Sequence, residues 1–74
     1  RAKAREHKQQ LKKLEDEIAA VEARIEALEQ LQYTDEVVLD HVRAQEVQRE
    51  LESERRHAET LYDRYLQFSL DNPD

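Results

Sequence analysis

Leu11, Leu14, Ile18, Val21, Ile25 and Leu28 recur at alternating intervals of three and four residues. That spacing is a heptad seam, with position a at 11, 18 and 25 and position d at 14, 21 and 28. Carried backwards, the seam places Ala4 at a and His7 at d. Ala19, Ala20, Ala23 and Ala27 lie off it and raise helix propensity without adding apolar bulk. The pattern predicts a helix over about residues 3–32, about 45 Å long at 1.5 Å per residue.

A second seam follows in a different frame. Val37, Ala44, Leu51, Ala58 and Tyr65 take a, while Val47, Leu61 and Phe68 take d. Asp40 and Glu54 are polar residues at the remaining d positions. This pattern predicts a helix over about 36–71, ending near Asp71 or Asn72 because Pro73 disfavours helical geometry in the residue before it.

The first frame would next place a at Gln32, whereas the second begins at Val37. A slip of five is neither the three nor the four that a continuous coiled coil absorbs. One straight helix would carry its apolar stripe onto a new face, so the chain is expected to turn at about 32–36, without glycine. Thr34 is a candidate N-cap, with Asp35 and Glu36 suited to the positive end of the helix dipole. Tyr33 and Val38 stand where a hydrophobic staple would close over that cap.

The expected architecture is all-α, a two-helix antiparallel coiled-coil hairpin forming one domain over 1–74. Pairing a with d' brings together residues whose numbers sum to 72: Leu28 with Ala44, Ile25 with Val47, Val21 with Leu51, Leu14 with Ala58, Leu11 with Leu61, His7 with Tyr65, Ala4 with Phe68. The flanks then pair Arg24 with Glu50, Glu17 with His57, Gln10 with Arg64, Glu15 with Arg55, Glu29 with His41, Glu22 with Gln48 and Lys8 with Tyr62. None of these is a like-charge pair, which favours the register although each exposed pair contributes little. Glu54 falls opposite Ile18 with no evident partner.

Composition agrees with long helices rather than a compact globule. There is no glycine, a single proline and no tryptophan, and 41% of residues are charged. Disorder is the competing class for so charged a chain, and the sustained apolar period argues against it. No apolar run reaches the roughly 20 residues needed to span a bilayer, so no membrane contact is expected. No cysteine is present, which excludes a disulfide framework and a thiolate site and fits a reducing, cytoplasmic setting. The chain starts at Arg1 rather than Met, which reads as a fragment of something larger.

Charge is unevenly spread. Residues 1–13 hold six basic residues and one acid, a balance of +5, and the remainder holds six basic and 17 acidic residues, a balance of −11. Arg1, Lys3, Arg5, Lys8, Lys12 and Lys13, with Arg64 added from across the hairpin, form the candidate nucleic-acid-binding surface. The plainer alternative is a solvated helix start.

Candidate chemistry is sparse. His7, His41 and His57 fall near the base, near the tip and between, too far apart to share a metal. Acid runs such as Glu15–Glu17 lie on open helix surface, where nothing would tune a catalytic carboxylate. No glycine-rich phosphate loop exists. No catalytic residue, metal or cofactor is expected, and the chain itself is read as non-enzymatic. Tyr62, Tyr65 and Phe68, in "LYDRYLQF", read either as hairpin core or as a foot that packs on a neighbouring domain of the parent chain. Lys8 and Arg64 interleave with these rings, which also permits base stacking. At the tip, Leu31, Tyr33, Val38, Leu39 and Val42 exceed what the seam needs, and read as a closing cap or a partner-binding knob.

The run "KLEDEIAAVEARIEALEQ", a short link bearing Tyr33 and Asp35, and a second helix ending in Leu61, Tyr62 and Arg64 resemble the C-terminal coiled-coil domain of ABC-F ATPases over about residues 10–68. Tyr65 stands where a tryptophan is common in that family. The resemblance implies a non-catalytic arm on a soluble ATPase whose cassettes lie outside this chain, contacting RNA, DNA or the ribosome. The alternative is a protein–protein spacer or oligomerisation module, such as a homodimer, of an unrelated cytoplasmic protein.

Overall fold

The structure, a computed structural model of the chain, describes residues 2–71. It is an antiparallel helical hairpin with principal extents of 56 × 14 × 12 Å. Helix α1 spans Ala2–Leu31, a single helical turn α2 spans Asp35–Val38, and α3 spans His41–Asp71. The expected stop before Pro73 falls at the edge of the described residues, and Asn72 and Pro73 lie outside them. No strand occurs among the described residues.

The two seams meet as a and d' residues, but one heptad away from the expected register. Ile18, Val21, Ala58 and Leu61 form one buried cluster, against which Leu14, Ile25 and Tyr65 pack. Leu28, Val37, Val47 and Leu51 form the second, joined by Ile25, Leu31 and Ala44. Leu51 therefore lies with Leu28 instead of Val21, and Leu61 with Ile18 instead of Leu11. Facing residues sum to 79, so the dyad of the hairpin falls between residues 39 and 40 and not at 36.

The cause is the tip. Where the sequence suggests a turn at 32–36 leading directly into a second helix, the chain makes two bends with α2 between them. Gln32 N–H still bonds to Leu28 O at 3.1 Å, which finishes α1. Thr34 sits at the N-cap position of α2 with extended backbone (φ −78°, ψ 153°), yet its side chain makes no capping bond. Its hydroxyl instead donates to Leu31 O at 2.8 Å, a carbonyl that also accepts from Thr34 N–H at 3.1 Å. Asp40, expected on the seam, is the N-cap of α3: its Oδ1 accepts from Arg43 N–H at 3.1 Å and its carbonyl from Ala44 N–H at 2.8 Å.

Because α3 starts later than the seam suggested, its first turns project past the end of α1. Helix α2 covers them, and its Val37 is 1% exposed. The hydrophobic staple is not built: Tyr33 and Val38 stay 78% and 60% exposed. Every described backbone φ is negative, so the double bend needs no glycine.

Between the two clusters, the facing positions are Ile25 and Glu54. Arg24 Nε lies 3.6 Å from Glu54 Oε1, whose side chain is 21% exposed. The partner of Glu54 is thus Arg24, which the expected register had given to Glu50. Glu54 interrupts the seam on α3, while Ile25 on α1 packs against both clusters and joins them.

Candidate functional site

The basic segment occupies the first turns of α1, at the open base of the hairpin. Lys3, Arg5, Lys8, Lys12 and Lys13 are all exposed. Arg1 lies outside the described residues. Arg5, Lys8 and Lys12 follow one another at intervals of three and four and so share a stripe of the helix. Lys12 is the least free of them. Its ammonium donates to Asp16 Oδ1 at 2.7 Å, and that hydrogen bond, with the charge of Asp16, raises its pKa above the usual lysine value.

Lys13 shares a recess on α1 with Lys12, Asp16 and Glu17. It lines a shallow groove with Gln10, Leu14, Glu17, Arg64, Gln67 and Phe68, so Arg64 does reach the basic end from across the hairpin. Lys3 borders the next recess toward the base, together with Glu6, His7, Gln10 and Phe68. Glu6, Asp16 and Glu17 line these same recesses and interrupt the cations.

The aromatic residues of α3 are held by α1. Tyr62 donates its phenol proton to Glu22 Oε2 at 2.6 Å, whereas the expected register pairs it with Lys8. Tyr65 donates to Glu15 Oε1 at 3.2 Å. Both phenols have pKa values above their ordinary 10.0. For Tyr62 the hydrogen bond to Glu22 is the main cause, followed by burial and then the charge of Glu22. For Tyr65 it is the hydrogen bond to Glu15, then that carboxylate's charge, then burial. Phe68 stacks on His7, with ring centroids 4.6 Å apart and planes 12° from parallel.

The slip of register also redistributes the other flanking charges. Glu29 accepts from Arg55 at 3.1 Å, and His41 lies against Gln45 on its own helix at 3.3 Å. The expected pairs Glu15–Arg55 and Glu29–His41 are accordingly not formed. His57 is exposed on α3, and Glu17 sits at the level of Arg64.

Two exposed apolar residues near the base escaped the sequence reading. Leu66 and Leu70 are 58% and 73% exposed, and with Tyr62 at 44% they make a ridge at intervals of four along α3. That interval was the available signal, hidden because the three positions lie off the heptad seam. At the tip, Tyr33, Val38, Leu39 and Val42 are all exposed, while Val37 and Leu31 close the core.

Among the described residues no group of three His, Cys, Asp or Glu side chains is placed to hold a metal ion. No helix among the described residues is long and apolar enough to cross a membrane. A family model described as ABC transporter C-terminal domain matches residues 3–69. No curated protein and no solved structure matches the chain.

Proposed function

The chain belongs to the ABC transporter C-terminal domain family, and on that premise we propose that it is the arm of an ABC-F type ATPase that contacts the phosphate backbone of RNA, DNA or the ribosome in the cytoplasm. The hairpin is an accessory domain of an ABC protein. In this reading it takes no part in the chemistry and positions the parent enzyme on its partner. The observation that supports the reading is the base of the hairpin, where Lys3, Arg5, Lys8 and Lys13 are exposed and Arg64 joins Lys13 in one groove. Acidic residues dominate the rest of the rod and would repel phosphate, which restricts contact to this end. Cations interrupted by Glu6, Asp16 and Glu17 and set along a shallow, open groove give weak binding without sequence preference.

Titration of a short RNA duplex at several salt concentrations tests this. Affinity should fall steeply with salt, because counterions released from the nucleic acid drive binding. Replacing Lys8, Lys12 and Lys13 by Gln should remove most of the affinity and lower the salt slope by about one per lost phosphate contact, with helicity unchanged. Unchanged affinity in the triple variant would refute the electrostatic contact.

The ridge of Tyr62, Leu66 and Leu70 favours a second reading, a foot that docks on a neighbouring domain or on another copy, with Tyr65 and Phe68 behind it. A solution mass near twice 8.9 kDa that reverts to monomer with Leu66→Ser and Leu70→Ser would support docking between copies. A monomer at high concentration would rule the homodimer out.

A further inference from the structure

We propose that the tip of the hairpin is a second, separate interaction surface, and that its partner is a protein presenting an apolar cleft rimmed by Lys and Arg. The tip carries Tyr33, Val38, Leu39 and Val42 at 78%, 60%, 82% and 63% exposure. All four fall within ten consecutive residues. A cap for the hairpin does not require them, because Val37 and Leu31 already close the second cluster. Single exposed apolar residues are ordinary on a protein surface, but a group of four large ones at one end of a rod marks a contact site.

Charge identifies the kind of partner. From Gln30 to Val42 the chain holds Asp35, Glu36 and Asp40 and no Lys or Arg. The first cation beyond, Arg43, is engaged by Glu46 at 3.3 Å. An apolar knob with an acidic rim repels nucleic acid and anionic lipid, and complements a cleft with a basic rim. Tip-to-tip contact with a second copy is disfavoured, since two acidic rims would meet.

The tip is also built to hold its shape. Thr34 ties back to α1, Asp40 caps α3, and Val37 anchors α2 in the core. The four exposed side chains are thus carried on a turn fixed at three points, which lowers the entropy lost on docking. This surface is independent of the basic base: either could exist without the other.

The test is site-specific photo-cross-linking in the intact parent protein in its own cells. Benzoyl-phenylalanine replaces Leu39 at the tip or, as an exposed control, Ala19 on α1. The product at Leu39 should be a distinct protein, with the cross-linked peptide holding apolar residues beside Lys or Arg. Asp35→Lys with Glu36→Lys should lower the yield about tenfold, and Tyr33→Ser with Val42→Ser should do the same. Tyr33→Ser with Val42→Ser should leave the melting temperature unchanged, because these side chains are exposed, and Asp35→Lys with Glu36→Lys should lower it only slightly, through the dipole of α2. Lys8, Lys12 and Lys13 changed to Gln should leave the yield intact. A product with RNA, with lipid, with a second copy or with an acidic protein surface would overturn the proposal. So would a yield at Leu39 no higher than at Ala19.

Discussion

The two halves of the hairpin are built from the same heptad grammar and end very differently. At the tip, Val37, Val47 and Leu51 are 1%, 0% and 0% exposed, because α2 folds over the seam and closes it. Toward the base only Leu61 is as deeply buried; Leu11, Leu14, Tyr65 and Phe68 are half-buried, and Ala4 is exposed. Helices α1 and α3 alone bury Ile18, Val21, Ala58 and Leu61, but beyond them toward the base the seam stays half-buried. The third element makes the difference, even at four residues. Stability should therefore reside at the tip, while the base, where the basic residues gather, is held by side-chain hydrogen bonds and a stacked ring pair.

The sharpest way to break that comparison is to empty one site in each half. Leu51→Ala should cost about 2–5 kcal/mol, the usual range for a buried leucine, which is enough to unfold so small a domain. Leu11→Ala, at a half-buried position, should cost well under half as much. Chemical denaturation followed by circular dichroism compares them directly, and equal costs would mean that the base is as well packed as the tip.

The next effect tests what holds α2 and α3 in place. Asp40→Ala removes the cap of α3 and should cost about 1 kcal/mol. Asp40→Asn should recover most of it, because an amide oxygen caps as well. If Asp40 were a tolerated seam residue, alanine there would be neutral or stabilising.

A smaller effect reports the register. Arg24→Glu should destabilise by a few tenths of a kcal/mol, as expected for a largely exposed pair. Glu54→Arg added to it should restore stability, and Glu50→Arg should not. A double-mutant cycle that couples Arg24 to Glu50 instead would return the dyad to residue 36.

The smallest effect is in alkali. Tyr62 and Tyr65 donate protons to carboxylates, so their folded pKa values lie above the unfolded value of 10.0. A raised pKa contributes stability that is complete below the unfolded value and lost as pH rises through the folded one. The base should loosen as pH climbs above 10. Lys12 also titrates in this range, with its pKa raised by Asp16, so the phenols need separating from it. Tyr62→Phe with Tyr65→Phe should reduce the alkaline loss and leave the lysine's share.

The architecture was legible because helix period is written in apolar spacing, and the change of frame between Leu28 and Val37 demanded a turn. The register was not. A slip of a whole heptad leaves every a residue opposite a d' residue, so Val21 meets Leu51 or Ala58 with equal grammar. Flanking charges could not decide either, since both registers avoid like-charge contacts at most positions. Only the length of chain spent at the tip chooses, and that hung on Asp40, whose carboxylate reads as a seam interruption or as a cap. Thr34 misled for a related reason: a hydroxyl between two helices can serve the end of one or the start of the next. At the candidate site, the charge count located the basic end. It could not bring Arg64 into one groove with Lys13 or tie Lys12 to Asp16, because those depend on side-chain reach.

The double bend without glycine or left-handed backbone has a mechanical consequence. A loop with such residues would work as a hinge, and the two ends of the rod would move independently. Here the tip is braced to both helices, so the 56 Å hairpin behaves as a lever. A rotation of a few degrees at a fulcrum near the base becomes a translation of several ångströms at Leu39, because displacement grows with arm length. Small angular changes in whatever carries the base would be delivered, amplified, to whatever sits at the far end.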